Sequence, residues 1–185
     1  MSAQQGVEAE GAQEIKKVRK RKTKSPEKKR EHRQKQKTIK KAKKATVQAA
    51  FNDLVMFLPT VLERNGHDGT SGDDLDRICR MQFGERFKGV FAANTHPADM
   101  SEGFYIVNTD PFHKPGVHWT AVADGLFYDS FDRKSTTLFP DVILPATKKN
   151  QSVAQLNKES NCGERCVAFL VCAAEFGTKA AKDFL

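Results

Sequence analysis

The amino-acid sequence predicts an α+β fold, with an antiparallel sheet in the middle of the chain and helices before and after it. Three β-rich runs predict the strands, at 104–108, 117–123 and 126–131. The last two flank Asp124-Gly125, a dipeptide typical of tight β-hairpins. Apolar residues at helical spacing over 45–62 and a mainly apolar segment at 161–176 predict the main helices. A further short strand is expected at 87–91.

The first 45 residues differ from the rest of the chain in charge. The whole chain has a formal net charge of +8, yet 17 lysines and arginines and only two glutamates lie between Lys16 and Lys44. The positive charge therefore belongs to this segment, and the remainder is net acidic. Residues 1–45 are predicted to be a disordered, basic tail, and residues 46–185 a single domain large enough to bury a core.

The basic tail predicts contact with nucleic acid, because clustered lysines and arginines bind phosphates without sequence preference. Its first cluster, KKVRKRK, also matches the composition of a nuclear localisation signal. The residues expected to contact nucleic acid are Lys16, Lys17, Arg19, Lys20, Arg21, Lys22, Lys28, Lys29, Arg30, Lys40, Lys41, Lys43 and Lys44.

The domain is predicted to begin with two helices. The first spans 45–62 and is broken or kinked by Pro59. The second spans 73–81, with Ser71 or Asp73 as its N-cap and Cys79 facing the core.

The four cysteines predict free thiols. No signal peptide is expected, and no apolar run reaches the length needed to cross a membrane. A reducing compartment without membrane association is therefore the expected environment. A zinc site built from Cys162, Cys166 and a histidine is disfavoured because no second ligand pair is present, so no metal is expected.

Cys162 is the candidate nucleophile. Polar residues precede it and the apolar run of the last major helix follows, which predicts Cys162 at that helix's N-terminus. The unpaired N–H groups and the helix dipole stabilise a thiolate there. Gly163 would let a peptide backbone approach closely.

A cysteine nucleophile needs a base and a group that orients the base, and the chain offers both upstream. His118 begins one strand of the predicted hairpin, and Asp129 lies toward the end of the other. The turn between them brings the two close together. Asp132 is the competing carboxylate. Trp119 is expected to pack against the histidine or to line a substrate groove.

These residues lie in an order that resembles the adenovirus maturation protease (adenain) family of cysteine proteases. The resemblance rests on GVHWTAVADGLFYDSF, on Gln155 and on Cys162-Gly163, and it covers roughly residues 73–175. It implies a papain-like fold, with the sheet packed on the helix of Cys162. It also implies a catalytic set of His118, Asp129, Gln155 and Cys162, in which Gln155 donates to the oxyanion beside the N–H of Cys162. Gln151 competes with Gln155, but the spacing to Cys162 favours Gln155.

The function that the resemblance implies is cleavage of viral precursor structural proteins during virion maturation, in the virion and the host nucleus. The chemistry would need no metal or organic cofactor, although DNA would be a stimulating cofactor and an activating peptide a further partner. Two features depart from the family: the long basic tail, and a chain that stops soon after the Cys162 helix.

Two alternatives stay open. A protease that removes SUMO or another ubiquitin-like modifier shares the residue order, but the spacing from Gln155 to Cys162 is one residue longer than expected there. A catalytically inert, DNA-binding virion core protein on a protease fold is the second, although all four catalytic residue types are present.

Overall fold

The computed structural model describes residues 25–62, 69–142, 144 and 159–184. The part of the chain from Thr38 onward forms one compact unit. The elements in chain order are α1 (Pro26–Phe57), α2 (Gly72–Phe83), β1 (Phe87–Phe91), β2 (Phe104–Asn108), β3 (Trp119–Ala123), β4 (Leu126–Tyr128), α3 (Ser135–Leu138), α4 (Cys162–Phe176) and α5 (Thr178–Phe184). The α+β class is confirmed.

The four strands lie side by side in chain order, but the sheet is mixed. β2, β3 and β4 pair antiparallel, as predicted, whereas β1 pairs with β2 in parallel. The antiparallel prediction for the three strands is therefore confirmed, and β1 adds a parallel edge whose pairing was not predicted. A parallel pair needs about a dozen residues to cross back, and the connection at 92–103 provides that length.

Each face of the sheet carries its own apolar cluster. On one face, α1, α2, α4 and α5 contribute to the larger cluster, which includes Phe51 of α1. The ring of Tyr128 stacks on Phe169 of α4, with centroids 4.7 Å apart. A smaller cluster around Val122 and Phe139 covers the other face. α4 is buried along most of its length, because its apolar residues face both the sheet and the helices beside it.

The first helix begins much earlier than predicted, within the segment expected to be disordered. Ser25 and Pro26 account for this start. The Ser25 hydroxyl accepts from the Lys28 N–H at 3.4 Å, and proline is favoured at the first helical position. Lysine, arginine, glutamine and alanine then continue the helix, since all favour it. Side chains from Ser25 to Thr46 are exposed, and burial begins at Val47.

The remaining helices agree closely with the predictions. Ser71 is the N-cap of α2, and its side chain accepts from the Asp74 N–H at 3.1 Å. Cys79 is fully buried in the core, as expected. The helix of Cys162 runs to Phe176 and is followed at once by α5, which was not predicted as a helix.

Candidate active site

A tight hairpin brings His118 and Asp129 together. Asp124 and Gly125 both have positive φ, at 46° and 76°, as a two-residue hairpin of this twist requires. Ala123 pairs with Leu126 and Ala121 with Tyr128. The predicted strand bounds included His118 and Asp129. In the structure, each of the two residues lies one position outside its strand. His118 Nε2 and Asp129 Oδ1 are 2.8 Å apart, and both residues are buried.

Several donors hold the Asp129 carboxylate. Besides His118, the Phe131 N–H donates to Oδ1 at 2.9 Å, and Arg133 Nε donates to Oδ2 at 2.7 Å. Burial alone would raise the pKa of Asp129, but the bonds from His118, Arg133 and Phe131 outweigh it and lower the pKa. Asp129 is therefore the carboxylate bonded to the histidine. Asp132, its competitor, lies in the following turn, where its N–H donates to the Asp129 carbonyl at 2.9 Å.

The His118 ring is held on its face as well as at Nε2. The Phe131 ring lies against it, with centroids 4.6 Å apart and the planes inclined by 36°. Because Asp129 engages Nε2, Nδ1 is the ring nitrogen left to interact with Cys162, whose side chain helps to raise the pKa of this histidine. Burial alone would lower the pKa of His118, but the bonds to Asp129 and Cys162 and their negative charges raise it. An imidazolium is thus favoured beside the thiol.

Cys162 is the first residue of α4, and its side chain is half-buried. The first main-chain bond of this helix runs from the Arg165 N–H to the Asn161 carbonyl, at 3.0 Å. The Cys162 N–H lies before that bond and has no partner within the helix. A thiolate, or an oxyanion formed beside it, would therefore meet the positive end of a helix of 15 residues.

Gly163 has a different role from the one predicted. A Cβ at this position would lie 3.1 Å from Thr70 Cβ and 3.3 Å from Leu75 Cδ2. The missing side chain therefore lets α4 begin in close contact with α2 and the residues before it. The glycine serves packing that fixes Cys162, not open space for a peptide.

The other three cysteines are fully buried. Burial raises the pKa of Cys79 to about 12 and of Cys172 to about 11, and it raises that of Cys166 well above the ordinary value. These thiols stay protonated and serve as small core residues. Within the described part of the chain, no group of three or more histidine, cysteine or acidic side chains is arranged to hold a metal ion.

A cleft of about 500 Å³ has Trp119 in its wall, whereas His118, Asp129 and Cys162 are not among the residues that line it. The Trp119 indole donates to the Thr70 carbonyl at 3.1 Å, which fixes the ring against the start of α2. Phe112 lines the same cleft and is 80% exposed, as is Val117 next to His118. The structure thus places Trp119 in the wall of a cleft, and its role toward a substrate stays a prediction.

Gln155, and its competitor Gln151, lie outside the described residues. The structure therefore brings together three of the four predicted site residues: His118, Asp129 and Cys162. The sequence reasoning missed Arg133 and the ring contact of Phe131. The signal available for Arg133 was its position four residues after Asp129, across a turn.

The predicted nucleic-acid contacts fall into two groups. Lys16, Lys17, Arg19, Lys20, Arg21 and Lys22 lie outside the described residues. Lys28, Lys29, Arg30, Lys40, Lys41, Lys43 and Lys44 are exposed residues of α1. Lys40 Nζ also lies 3.7 Å from Asp183 of α5, so this lysine of the basic helix forms an ion pair with the last helix.

Among the described residues, none of the helices combines the length and the apolar character needed to span a bilayer. No protein-family model, curated protein or solved structure matches the chain.

Proposed function

We propose that this protein is a cysteine endopeptidase with Cys162 as nucleophile and His118 as general acid and base. One observation carries the proposal: the buried ring of His118 is bonded at Nε2 to Asp129, 2.8 Å away, and lies close enough to Cys162 at the start of α4 for that side chain to raise the pKa of the ring. A nucleophile, a base and a group that orients the base are the parts that acyl transfer requires.

In the proposed reaction, the Cys162 thiolate attacks the scissile carbonyl carbon and forms a C–S bond. The tetrahedral intermediate collapses, the C–N bond breaks, and the leaving amine takes its proton from the His118 imidazolium. Water then gives a proton to His118 and attacks the thioester, which releases the new carboxylate and restores Cys162. Asp129 keeps the ring in place and stabilises the imidazolium without taking its proton.

The oxyanion that forms in both steps needs donors beside Cys162. The Cys162 N–H has no helical partner and is one such donor, and Gln155 stays a prediction for the other.

The substrates we propose are precursor structural proteins of a virus or virus-like element, cleaved in the virion or the host nucleus. The resemblance of GVHWTAVADGLFYDSF and Cys162-Gly163 to adenain supports this class, and the papain-like arrangement is proposed on the same basis. DNA would act as a stimulating cofactor, bound by the exposed lysines and arginines of α1 without sequence preference.

Peptidase activity tests the proposal directly. Purified protein would be incubated with a proteome-derived peptide library, and new N-termini would be identified by mass spectrometry. We expect a restricted set of cleavage sites for the wild type and none for Cys162→Ala. Cys172→Ala, which removes a buried thiol from the same helix, is the matched control and should cleave like the wild type. Equal cleavage by Cys162→Ala would refute the assignment.

A short DNA duplex added to the same assay tests the role of the basic helix. We expect faster cleavage with DNA, and this gain should weaken as salt rises, because phosphate contacts release counterions. Replacing Lys28, Lys29 and Arg30 with glutamine should remove part of the gain without changing the rate in the absence of DNA. DNA binding without any cleavage would instead favour the inert DNA-binding protein, the alternative that the exposed basic helix supports.

A further inference from the structure

Arg133 stands out among the groups that surround the candidate site, because it contacts two of them at once. Its side-chain Nε donates to Asp129 Oδ2 at 2.7 Å, and its backbone N–H donates to the same oxygen at 3.3 Å. Its guanidinium carbon also lies 5.4 Å from the centre of the Phe131 ring. Phe131 in turn packs on His118. The arginine therefore reaches the histidine by two routes, through the carboxylate and through the ring.

The two partners of this ion pair differ in how far they are buried. The Asp129 side chain is 1% exposed, whereas that of Arg133 is 39% exposed. Arg133 thus lies between the buried carboxylate and solvent. Each Asp129 oxygen has its own donors: Oδ1 accepts from His118 and Phe131, and Oδ2 accepts from Arg133. With Oδ2 occupied, the carboxylate cannot rotate away from His118 without breaking a charge-assisted bond.

We propose that Arg133 is a positioning residue for His118, which it aligns with Cys162 by holding the Asp129 carboxylate and the Phe131 ring in place. The inference rests on the proposed thiol chemistry, and it adds a residue that acts through others without touching substrate. Arginine suits this position because its planar fork can bond a carboxylate and lie against an aromatic ring together.

The charged groups around His118 and Asp129 set the direction in which the pKa of His118 should change when Arg133 is removed. His118 meets Asp129 from the loop after β4 and Cys162 from α4, and the charge of Asp129 also reaches Cys166 and Tyr128. Without Arg133, water would reach Asp129 and weaken its attraction for the imidazolium. The pKa of His118 should then fall. Loss of the arginine's own positive charge acts in the opposite direction, but that charge is partly exposed and screened.

The test is alkylation of Cys162 by iodoacetate across a pH series, because this reaction needs no peptide. The carboxylate of this reagent is attracted by the His118 imidazolium beside the thiolate, so the rate declines again as His118 loses its proton. Cys162→Ala provides the blank. Arg133→Ala should lower the maximal rate about tenfold, the usual size of a lost charge-assisted bond, and move this decline to lower pH. Arg133→Lys should recover the rate only in part, since lysine lacks the planar fork.

Arg80→Ala is the matched control, because Arg80 Nε also bonds an aspartate four residues away, Asp76, at 2.6 Å on α2. It should leave the profile unchanged. A folded Arg133→Ala with the wild-type profile, or one that loses only thermal stability, would overturn the proposal, as would a shift of the decline to higher pH. A wild type without any decline would overturn it as well. A wild type that shows the expected profile but cleaves no peptide would refute the endopeptidase and leave the role of Arg133 intact.

Discussion

Cys162 and Cys166 lie one turn apart on the same helix, but their surroundings differ completely. Cys162 is half-buried, begins the helix and lies close enough to His118 to raise the pKa of the imidazole. Cys166 is fully buried, and its burial raises the pKa of the thiol well above the ordinary value. One helical turn therefore distinguishes a thiol that lies beside a histidine from a thiol that burial in the core keeps protonated.

The comparison shows what the site requires beyond a cysteine. At Cys162, the helix end supplies N–H groups, and a buried, tightly bonded His118–Asp129 pair supplies a cation. Neither is available at Cys166, where the backbone N–H is used within the helix, and where burial and the negative charges of Asp129 and Glu164 keep the thiol protonated. The proposed nucleophile therefore lies where a helix end meets the end of a hairpin.

The strongest test of this difference removes each thiol in turn. Cys162→Ala should lower peptide turnover by about 10⁴-fold or more, because removal of a nucleophile leaves only binding and oxyanion contacts. Cys166→Ala should keep the rate within about threefold and lower the free energy of unfolding by about 1 kcal/mol, through lost core packing. Turnover kinetics and urea denaturation measure the two effects. Equal losses of turnover in the two variants would contradict the comparison.

Asp129→Asn tests whether the histidine makes Cys162 different. The neutral amide should lower kcat/KM by about 10² to 10⁴-fold, as loss of the orienting carboxylate does in comparable triads. The pKa of His118 is raised above its ordinary 6.5 in the folded protein. Activity that needs the imidazolium is therefore present below this raised pKa and is lost as the pH rises through it.

In Asp129→Asn the high-pH limb of kcat/KM should move down toward 6.5, because a main cause of the raised pKa is gone. Asp132→Asn, the neighbouring carboxylate in the turn, is the control and should leave the limb where it is. An unmoved limb in Asp129→Asn would mean that Asp129 does not set the charge of His118.

Gly163→Ala should disturb the first turn of α4 more than the second. Its Cβ would lie within about 3.1 Å of Thr70 Cβ, which is tighter than ordinary contact. We expect unfolding to become easier by about 1 kcal/mol, since crowding outweighs the better helix propensity of alanine. Cys162 alkylation should slow several-fold as the turn shifts. A stabilised variant with normal alkylation would show that Thr70 and Leu75 yield to the methyl group.

Local sequence signals determined much of this protein. The Asp124-Gly125 turn, the β-rich runs on either side and the apolar helix after Asn161 each follow from short-range preferences, and all appear in the structure. The same signals placed His118 near Asp129, because a two-residue turn leaves little choice of register. Ser25-Pro26 was an equally local signal for a helix start. The high charge of the residues that follow predicted disorder there instead of a helix.

Only the tertiary structure decided how these elements meet. Three features join segments far apart in the chain: the parallel pairing of β1, the contact of Gly163 with Thr70 and Leu75, and the approach of Cys162 to the His118 ring. Arg133 could be read in the sequence, but its hold on Asp129 depends on the turn that folds it back. Such contacts arise from packing of whole surfaces, which no short stretch of sequence specifies by itself.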